Sequence, residues 1–249
     1  MKIDRLFYKP LRGKPVIEVD SLNLIKGYGI ENDIHGYYGN PRQVLIVSQS
    51  TLKDFNLQGG NLWENIVVDE DIESYQSGQV IRIGEQVLIR LMFHCEPCKN
   101  LEQVQLGLMK KINTRRGFLG IVVEGGIIKP QDTITLTTYL FNPLSDIVKQ
   151  RFNEFIARIP DDKLVNTTDL LLALGVSKAY YRSIPILIKN SDRPTHTHKL
   201  VKKDGSLFDK YIPHQKELLE SKGIVVFDNK VDYSQHAWEK KQYHQIEYN

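Results

Sequence analysis

Short, β-branched apolar stretches bounded by Gly and turn residues dominate the first 140 residues. They span residues 43–47, 64–68, 79–83, 86–92, 120–124 and 133–140. Such stretches are typical of strands in a β-barrel or β-sandwich. Residues 100–111 carry instead the best helical pattern of this half. We therefore expect an N-terminal β-barrel or β-sandwich domain that contains one helix.

The pattern changes to a helical period after residue 142. Apolar positions recur at helical spacing from Leu144 onward, and Pro160 ends that helix. Thr167 or Thr168 is the expected N-cap of a second helix, which Gly175 terminates.

A third helix beginning near Ser177 follows, and the two short helices joined by residues 175–177 predict a helix-turn-helix. A helix is also predicted over residues 214–221. The domains expected from these patterns are a β-rich domain over residues 1–141, a mainly α-helical domain over residues 142–240 and a polar tail over residues 241–249.

Composition and charge set broad limits on function. No stretch approaches the roughly 18 apolar residues of a membrane span, and charges interrupt the first eleven residues, unlike a signal peptide. We expect a cytoplasmic protein without membrane contact. Residues 178–216 contain nine Lys and Arg against three Asp. This local excess indicates either a polyanionic partner or a solvated face.

The candidate chemistry of the first half lies in a Cys-x-x-Cys pair, Cys95 and Cys98. Such a pair serves as half of a zinc site, as a dithiol redox pair, or as a reactive thiol beside a structural one. Zinc would need His94 and His35 as further ligands. A redox pair would need a βαβ context, which this β-rich half does not provide.

The third use fits the pattern best. Cys98 follows a predicted strand, precedes the predicted helix and lies beside Lys99. Helix N-terminal amides and an ammonium group favour a thiolate. Two inert, partly buried cysteines remain the alternative.

Ordered motifs around this pair resemble the signature of MOSC domains, which are named after the C-terminal domain of molybdenum cofactor sulfurases. The motifs are GIENDIHG at 29–36, PRQVL at 41–45, ENI at 64–66, EPC at 96–98, RRGFLG at 115–120 and GGII at 125–128. The resemblance covers roughly residues 1–140 and implies a β-barrel-like fold and sulfur or molybdenum chemistry.

The resemblance also implies roles for single residues. Cys98 is expected to carry sulfur as a persulfide or to ligate molybdenum of a molybdopterin-type cofactor. Cys95 is the second candidate catalytic thiol, which either resolves that persulfide or is inert. A thiolate is both a soft nucleophile and a soft ligand. The expected cofactor-binding residues are Asp33, His35, Arg42, Arg115 and Arg116.

The sulfurases take sulfur from a pyridoxal-phosphate domain, which has no counterpart in these 249 residues. The expected partner is therefore a cysteine desulfurase that brings its own pyridoxal phosphate, or a protein of the molybdenum cofactor.

A second set of motifs resembles the DNA-binding domain of O6-alkylguanine-DNA alkyltransferases and alkyltransferase-like proteins, and implies a winged-helix-like fold. The motifs are FIARIP at 155–160, VNTTDL at 165–170, LG at 174–175, KAYYR at 178–182, HKLV at 198–201, DG at 204–205, QKELL at 215–219, KGI at 222–224 and KVDY at 230–233. The resemblance implies duplex DNA as a partner.

Departures from this second family limit what it implies. Thr197 stands where the family has its alkyl-accepting cysteine, and a hydroxyl does not replace a thiolate, so we expect no alkyltransferase activity. Arg182 matches the arginine that enters the space left by a flipped base. Pro185 falls near the family's helix-packing glycine and is expected to disturb a helix interior. The candidate DNA-binding residues are Arg182, Lys178, Lys189, Lys199, Lys202 and Lys203.

Two functional hypotheses follow. The first is a MOSC-type sulfur carrier or molybdenum–sulfur protein that acts through Cys98 and carries a non-catalytic DNA-binding domain. The alternative is a non-enzymatic DNA-binding protein that senses alkylated bases, with the MOSC domain as a structural or accessory module.

Overall fold

The apolar stretches of the first half form strands in the computed structural model, which describes residues 1–247. The strands are β1 (Ile3–Tyr8), β2 (Ile17–Val19), β3 (Leu22–Ile25), β4 (Gly29–Ile30), β5 (Val44–Ser48), β6 (Ile66–Val68), β7 (Gln79–Ile83), β8 (Val87–His94), β9 (Phe118–Glu124), β10 (Gly126–Ile128) and β11 (Ile134–Leu140). The helices are α1 (Gln49–Asp54), α2 (Leu101–Val104) and α3 (Leu108–Ile112). Together they belong to one compact unit, Met1–Asp146 with the chain from Gln245, and Ile147–His244 forms a second.

Eight of these strands form one mixed sheet in the order β11-β7-β8-β9-β5-β6-β1-β2. Only the β5–β6 pair is parallel, and the other neighbours run antiparallel. A smaller antiparallel sheet has the order β10-β3-β4. The observed fold of this unit is therefore a mixed α/β fold built on a large sheet.

The expected barrel does not close among the described residues, because the sheet ends at β11 on one side and at β2 on the other. Strand β2 pairs with Leu6–Tyr8 of β1 and so occupies that edge of the strand. Only the start of β1 remains for β11, and the two meet there through the isolated bridge between Lys2 and Thr133.

Both faces of the central strands of the large sheet are buried, which explains why these strands are apolar at most positions. In β5, Val44 and Ile46 pack into one hydrophobic cluster, whereas Leu45 and Val47 pack into another. Successive side chains of a strand point to opposite faces. A continuous apolar run is therefore needed where both faces are covered.

The helix expected over residues 100–111 is instead two short helices, α2 and α3. The break falls at Gly107, which adopts a left-handed φ of +78°. The Glu102 carboxylate accepts hydrogen bonds from the backbone N–H groups of Gly107 (2.7 Å) and Met109 (3.0 Å). This side chain therefore stabilises the start of a new helix in place of a continuous one.

The second unit contains short helices and two small sheets. The helices are α4 (Val148–Arg158), α5 (Thr167–Ala173), α6 (Ile184–Lys189), α7 (Gln215–Glu220) and α8 (Tyr233–His236). The strands are β12 (Val165–Asn166), β13 (Leu200–Val201), β14 (Val226–Phe227) and β15 (Lys230–Val231), with β12–β13 parallel and β14–β15 an antiparallel hairpin. The winged-helix arrangement of this unit stays a prediction.

The predicted helix-turn-helix region is present with altered details. The N-cap of α5 is Asn166, one residue before the expected Thr167, and its side chain accepts from Thr168 N and Asp169 N. Gly175 follows α5 with φ +65°. The next segment, Lys178–Lys189, bends by 117° from α5 and begins as a 3-10 turn.

Pro185 does not disturb a helix interior, contrary to expectation. It lies in the first turn of α6, where no backbone donor is required. The expected polar tail also differs, because Tyr243 and His244 are buried in the second unit. Residues 248 and 249 of that tail lie outside the described residues.

Within residues 1–247, no single helix has the length and apolar character of a membrane span, although the bent pair α5 and Lys178–Lys189 passes the same test by length and composition alone.

Candidate functional site

Cys98 lies in an extended segment after β8, opposite the turn that precedes β9. The backbone N–H of Cys95 donates to the carbonyl of Gly117 (2.9 Å) and fixes the segment to that turn. Arg116 Nη1 donates to the carbonyl of Glu96 (2.5 Å) and lies 3.3 Å from Cys98 Sγ. The guanidinium is thus held against the half-buried sulfur, where its charge complements a thiolate.

Gly117 makes this placement possible. Its φ is +93°, and a Cβ atom there would lie 2.3 Å from the carbonyl oxygen of Ile46. A side chain at this position would push the Arg116 turn away from β5. The glycine of the RRG motif is therefore required by the close approach of two backbones.

The Arg116 guanidinium has a buried donor without a partner among the described residues. The residue is only 6% exposed, and among the described residues its Nε has no hydrogen-bond partner. A buried donor without an acceptor is costly. The residue is therefore suited to an anionic ligand bound beside Cys98.

The two cysteines occupy different environments. Cys95 is 1% exposed and packs in a hydrophobic cluster of the sheet, where its Sγ accepts from Arg42 Nη2 (3.2 Å). Cys98 is half-buried. Cys98 is therefore the more accessible thiol, and the expected helix N-terminus beside it is only the four-residue α2.

Asp33 organises the loops around the site. Its carboxylate accepts from the backbone N–H groups of Lys9 (2.7 Å) and His35 (2.8 Å) and from Asn65 Nδ2 (3.1 Å). With these bonds made and the residue buried, Asp33 acts as a structural centre that joins the end of β1, its own loop and the residue preceding β6.

The Lys9 ammonium interacts electrostatically with both Cys98 and Arg116. Burial lowers the pKa of Lys9. Asp33 and Cys98 oppose this shift, whereas Arg116 and Arg12 reinforce it. Burial also lowers the pKa of His35, a shift that the Asp33 carboxylate partly opposes.

Two residues of this site were missed by sequence reasoning. Lys9 Nζ and Arg116 Cζ lie 5.4 Å and 5.8 Å from the centroid of the Trp63 ring. Lys9 follows β1 and Trp63 precedes the ENI motif, so the position of Trp63 beside that motif was the available sequence signal.

Arg115 does not join the site, contrary to expectation. Its Nη2 lies 2.7 Å from Asp54 Oδ2, and its guanidinium lies over the Phe55 ring. Adjacent residues of the Asn113–Arg116 turn point in different directions, so only Arg116 reaches Cys98.

The zinc alternative finds no support in the described part of the chain. His94 Nδ1 pairs with Asp146 Oδ2 (3.0 Å), and its ring packs on Phe118. Across residues 1–247, no group of three or more His, Cys, Asp or Glu side chains could hold a metal ion.

The basic candidates of the second unit separate into exposed and buried residues. Lys199 is 2% exposed, and its Nζ donates to the carbonyl of Ile159 (2.5 Å) and lies 3.6 Å from Asp161 Oδ1. It is therefore a structural lysine and not the expected DNA contact. The exposed candidates are Lys178, Arg182, Lys189, Lys202 and Lys203.

Thr197 is also buried. Its Oγ1 donates to the carbonyl of Pro194 (2.7 Å), so the hydroxyl is occupied by the local backbone. The neighbouring His198 contacts the carbonyl of Thr195 through Nδ1 (2.9 Å). Nothing in this geometry activates the threonine oxygen as a nucleophile.

Solved structures similar to this chain are of modest identity. The YUAD protein from Bacillus subtilis is 19% identical over 53% of this chain and 93% of its own, with a TM-score of 0.48. YiiM from Escherichia coli is 19% identical over 73% of this chain and 90% of its own, with a TM-score of 0.45. S. pombe Atl1, in complex with damaged DNA containing O6-carboxymethylguanine, is 19% identical over 38% of this chain and 97% of its own, with a TM-score of 0.34.

A comparison with curated proteins found no match. The family model of the MOSC domain matches residues 32–135, a segment that contains Cys98, Cys95, Arg42 and Arg116. The match supports a MOSC domain at residues 32–135 of this chain.

Proposed function

We propose that the MOSC domain acts through Cys98, as a sulfur carrier or as a thiol of molybdenum–sulfur chemistry. The observation that carries this proposal is the contact of the half-buried Cys98 sulfur with a buried arginine, Arg116, whose Nε has no hydrogen-bond partner among the described residues. A thiol held against a fixed cation and reachable from solvent is suited to nucleophilic attack or to soft-metal ligation.

The residues present fit an anionic, sulfur-linked group such as a molybdopterin-type cofactor. When bound, that cofactor would supply a redox-active molybdenum centre. Arg116 would bind its anionic oxygens, the Lys9 ammonium would add positive charge, and Cys98 would offer a soft ligand. Asp33 would keep the surrounding loops in place through the hydrogen bonds that it accepts.

Sulfur transfer requires no further oxidant or reductant. The Cys98 thiolate attacks the terminal sulfur of a donor persulfide, a new S–S bond forms on Cys98, and the donor leaves as a thiolate. The proton of the terminal sulfur stays with it. Arg116 stabilises the negative charge before the attack. The donor is proposed to be a pyridoxal-phosphate-dependent cysteine desulfurase.

A transfer assay tests the sulfur-carrier form of the proposal. The full chain is incubated with a low-molecular-weight persulfide and a desulfurase, and peptide mass spectrometry locates the added sulfur. We expect it on Cys98, unchanged in Cys95→Ser and absent in Cys98→Ser. Sulfur on Cys95 alone, or on neither thiol, would refute this form.

We propose duplex DNA binding as a second function, located in the second unit. The observation that favours it is a set of exposed cations near the bent α5–α6 region, including Lys178 and Arg182. Neither of these two side chains is paired with a carboxylate in the described part of the chain. Unpaired surface cations are available for phosphates.

Fluorescence anisotropy with intact and O6-methylguanine duplexes at two salt concentrations tests this function. Binding should fall steeply with salt. Lys202→Ala should weaken binding to both duplexes alike. Arg182 is expected to enter the space left by a flipped base, and a damaged base costs less to unstack. Arg182→Ala should therefore erase any preference for the damaged duplex. Lys129→Ala, an exposed lysine of the first unit, is the control. Absence of binding at low salt would refute the proposal.

A further inference from the structure

Trp63 adopts a backbone conformation that its side chain disfavours. Its φ is +58°, in the left-handed region. Most of the other non-glycine residues in that region are Asn, Asp or His, which tolerate it better than a bulky aromatic residue does. Such a conformation persists only where the surrounding structure enforces it.

The turn before β6 enforces this conformation. The buried Glu64 carboxylate accepts from the backbone N–H groups of Gly60 (2.6 Å) and Leu62 (3.0 Å). The N–H of Trp63 donates to the carbonyl of Gly60 (3.1 Å). The direction of the indole ring is therefore set by a buried hydrogen-bonded turn.

The ring direction brings the indole to the cations of the Cys98 site. Lys9 Nζ and Arg116 Cζ both lie within the roughly 6 Å range of cation–π attraction from the ring centroid. The same Arg116 guanidinium lies against Cys98 Sγ. Trp63 thus contacts the group that engages the sulfur.

We propose that Trp63 is a positioning residue of the Cys98 site. Its indole holds the Lys9 ammonium and the Arg116 guanidinium beside the sulfur, and the site therefore prefers anionic reactants over neutral ones. This inference rests on the proposed function only in taking Cys98 as the acting thiol.

The ratio of two alkylation rates at Cys98 tests the proposal. Iodoacetate is anionic and iodoacetamide is neutral, and both react with the same thiolate. Their rate ratio therefore reports the charge held beside the sulfur and is independent of how much thiolate is present. Peptide mass spectrometry restricts the measurement to Cys98 in the full chain.

We expect Trp63→Gly to lower the iodoacetate-to-iodoacetamide ratio by about threefold or more, since both cation–π contacts are lost. Trp63→Phe, which keeps an aromatic face, should stay within about twofold of the original protein. Trp63→Leu should behave like the glycine variant and replaces it if that variant does not fold.

Asn56→Gly is the matched control. Asn56 lies in the same loop with φ +52° and is exposed, so this change relaxes a left-handed position without removing a ring. Its ratio should be unchanged. The proposal would be overturned if the iodoacetate-to-iodoacetamide ratio were the same in the original protein, Trp63→Gly and Trp63→Leu. It would also be overturned if Trp63→Phe lowered the ratio as much as those two variants do. A lowered ratio without any persulfide or molybdenum on Cys98 would support this inference and refute the proposed function.

Discussion

At the residue scale, the chemistry of the first unit depends on how two neighbouring thiols are surrounded. Cys95 is enclosed by the core and bonded by Arg42, whereas Cys98 is partly open and contacts Arg116. Both sulfurs thus have a guanidinium partner, and accessibility is what distinguishes them. Reactivity of a thiol requires both thiolate character and access.

Iodoacetamide at neutral pH should therefore label Cys98 at least tenfold faster than Cys95, because a fully buried thiol reacts only when the structure opens locally. Peptide mass spectrometry at short reaction times measures both rates. Unfolding in denaturant provides the control, since the two rates should then converge. Equal labelling in the folded protein would contradict the assignment of Cys98 as the acting thiol.

Thr197 carries a prediction for the second unit. Its buried hydroxyl donates to the Pro194 carbonyl and not to a base, and a threonine that no base activates is a poor nucleophile. The chain should take up no label from duplex DNA carrying labelled O6-methylguanine. Gel electrophoresis after denaturation detects a covalent adduct, and any stable label on the protein would disprove this prediction.

At the element scale, one turn joins the thiol segment, residues 95–98 with both cysteines, to the large sheet. The Asn113–Arg116 turn leads into β9 through Gly117, which lies against β5. The position of Arg116 therefore depends on the approach of two backbones, and a change at Gly117 affects both the sheet and the site.

Gly117→Ala should destabilise the protein by roughly 2 kcal/mol or more, because the added Cβ meets the Ile46 carbonyl at a left-handed position. Gly13→Ala is the matched control, since Gly13 has φ +76° but no atom within 4 Å of an added Cβ. Its cost should be about 1 kcal/mol. Denaturant unfolding measures both, and equal costs would contradict the proposed contact.

The sequence predicted the buried strands well because their pattern is local. The predicted strand over residues 79–83 coincides with β7, and the stretch 43–47 lies within one residue of β5. Strand β1 was missed because Asp4 and Arg5 interrupt its apolar pattern. Closure of the sheet was predicted wrongly, since the pairing of β2 with β1 depends on contacts that no local pattern contains.

The candidate site was predictable only in part for the same reason. Cys98, Arg42 and Arg116 belong to recognisable motifs, and the structure brings all three to the thiol segment. Lys9 and Trp63 lie far from Cys98 in sequence, so only the fold brings them near. Lys199 looked like its neighbours in the basic stretch, but it is buried and its Nζ donates to the Ile159 carbonyl, a tertiary contact that no local pattern contains.

At the scale of the whole molecule, burial lowers the pKa of His35 in the first unit and of His198 in the second below the usual 6.5. The unfolded chain then binds the proton more readily than the folded chain. The folded state thus favours the neutral form of these two imidazoles. The stabilisation that depends on this neutral form is present above pH 6.5 and is lost as the pH falls below that value.

His35→Asn and His198→Asn should therefore each lose less stability than the original protein between about pH 8 and about pH 5. Thermal unfolding followed by circular dichroism measures the change. His214→Asn, at an exposed left-handed position that Asn tolerates, is the control and should follow the original protein. Identical pH dependence in all variants would show that these two histidines titrate as in the unfolded chain.

The central claim is that Cys98 carries the chemistry of the MOSC domain, and its most direct test is combined metal and mass analysis of the full chain purified from its native host. We predict a persulfide on Cys98 or molybdenum that co-purifies with the protein, retained in Cys95→Ser and lost in Cys98→Ser. A native protein with unmodified Cys98 and no molybdenum, or a signal that survives in Cys98→Ser, would contradict the claim.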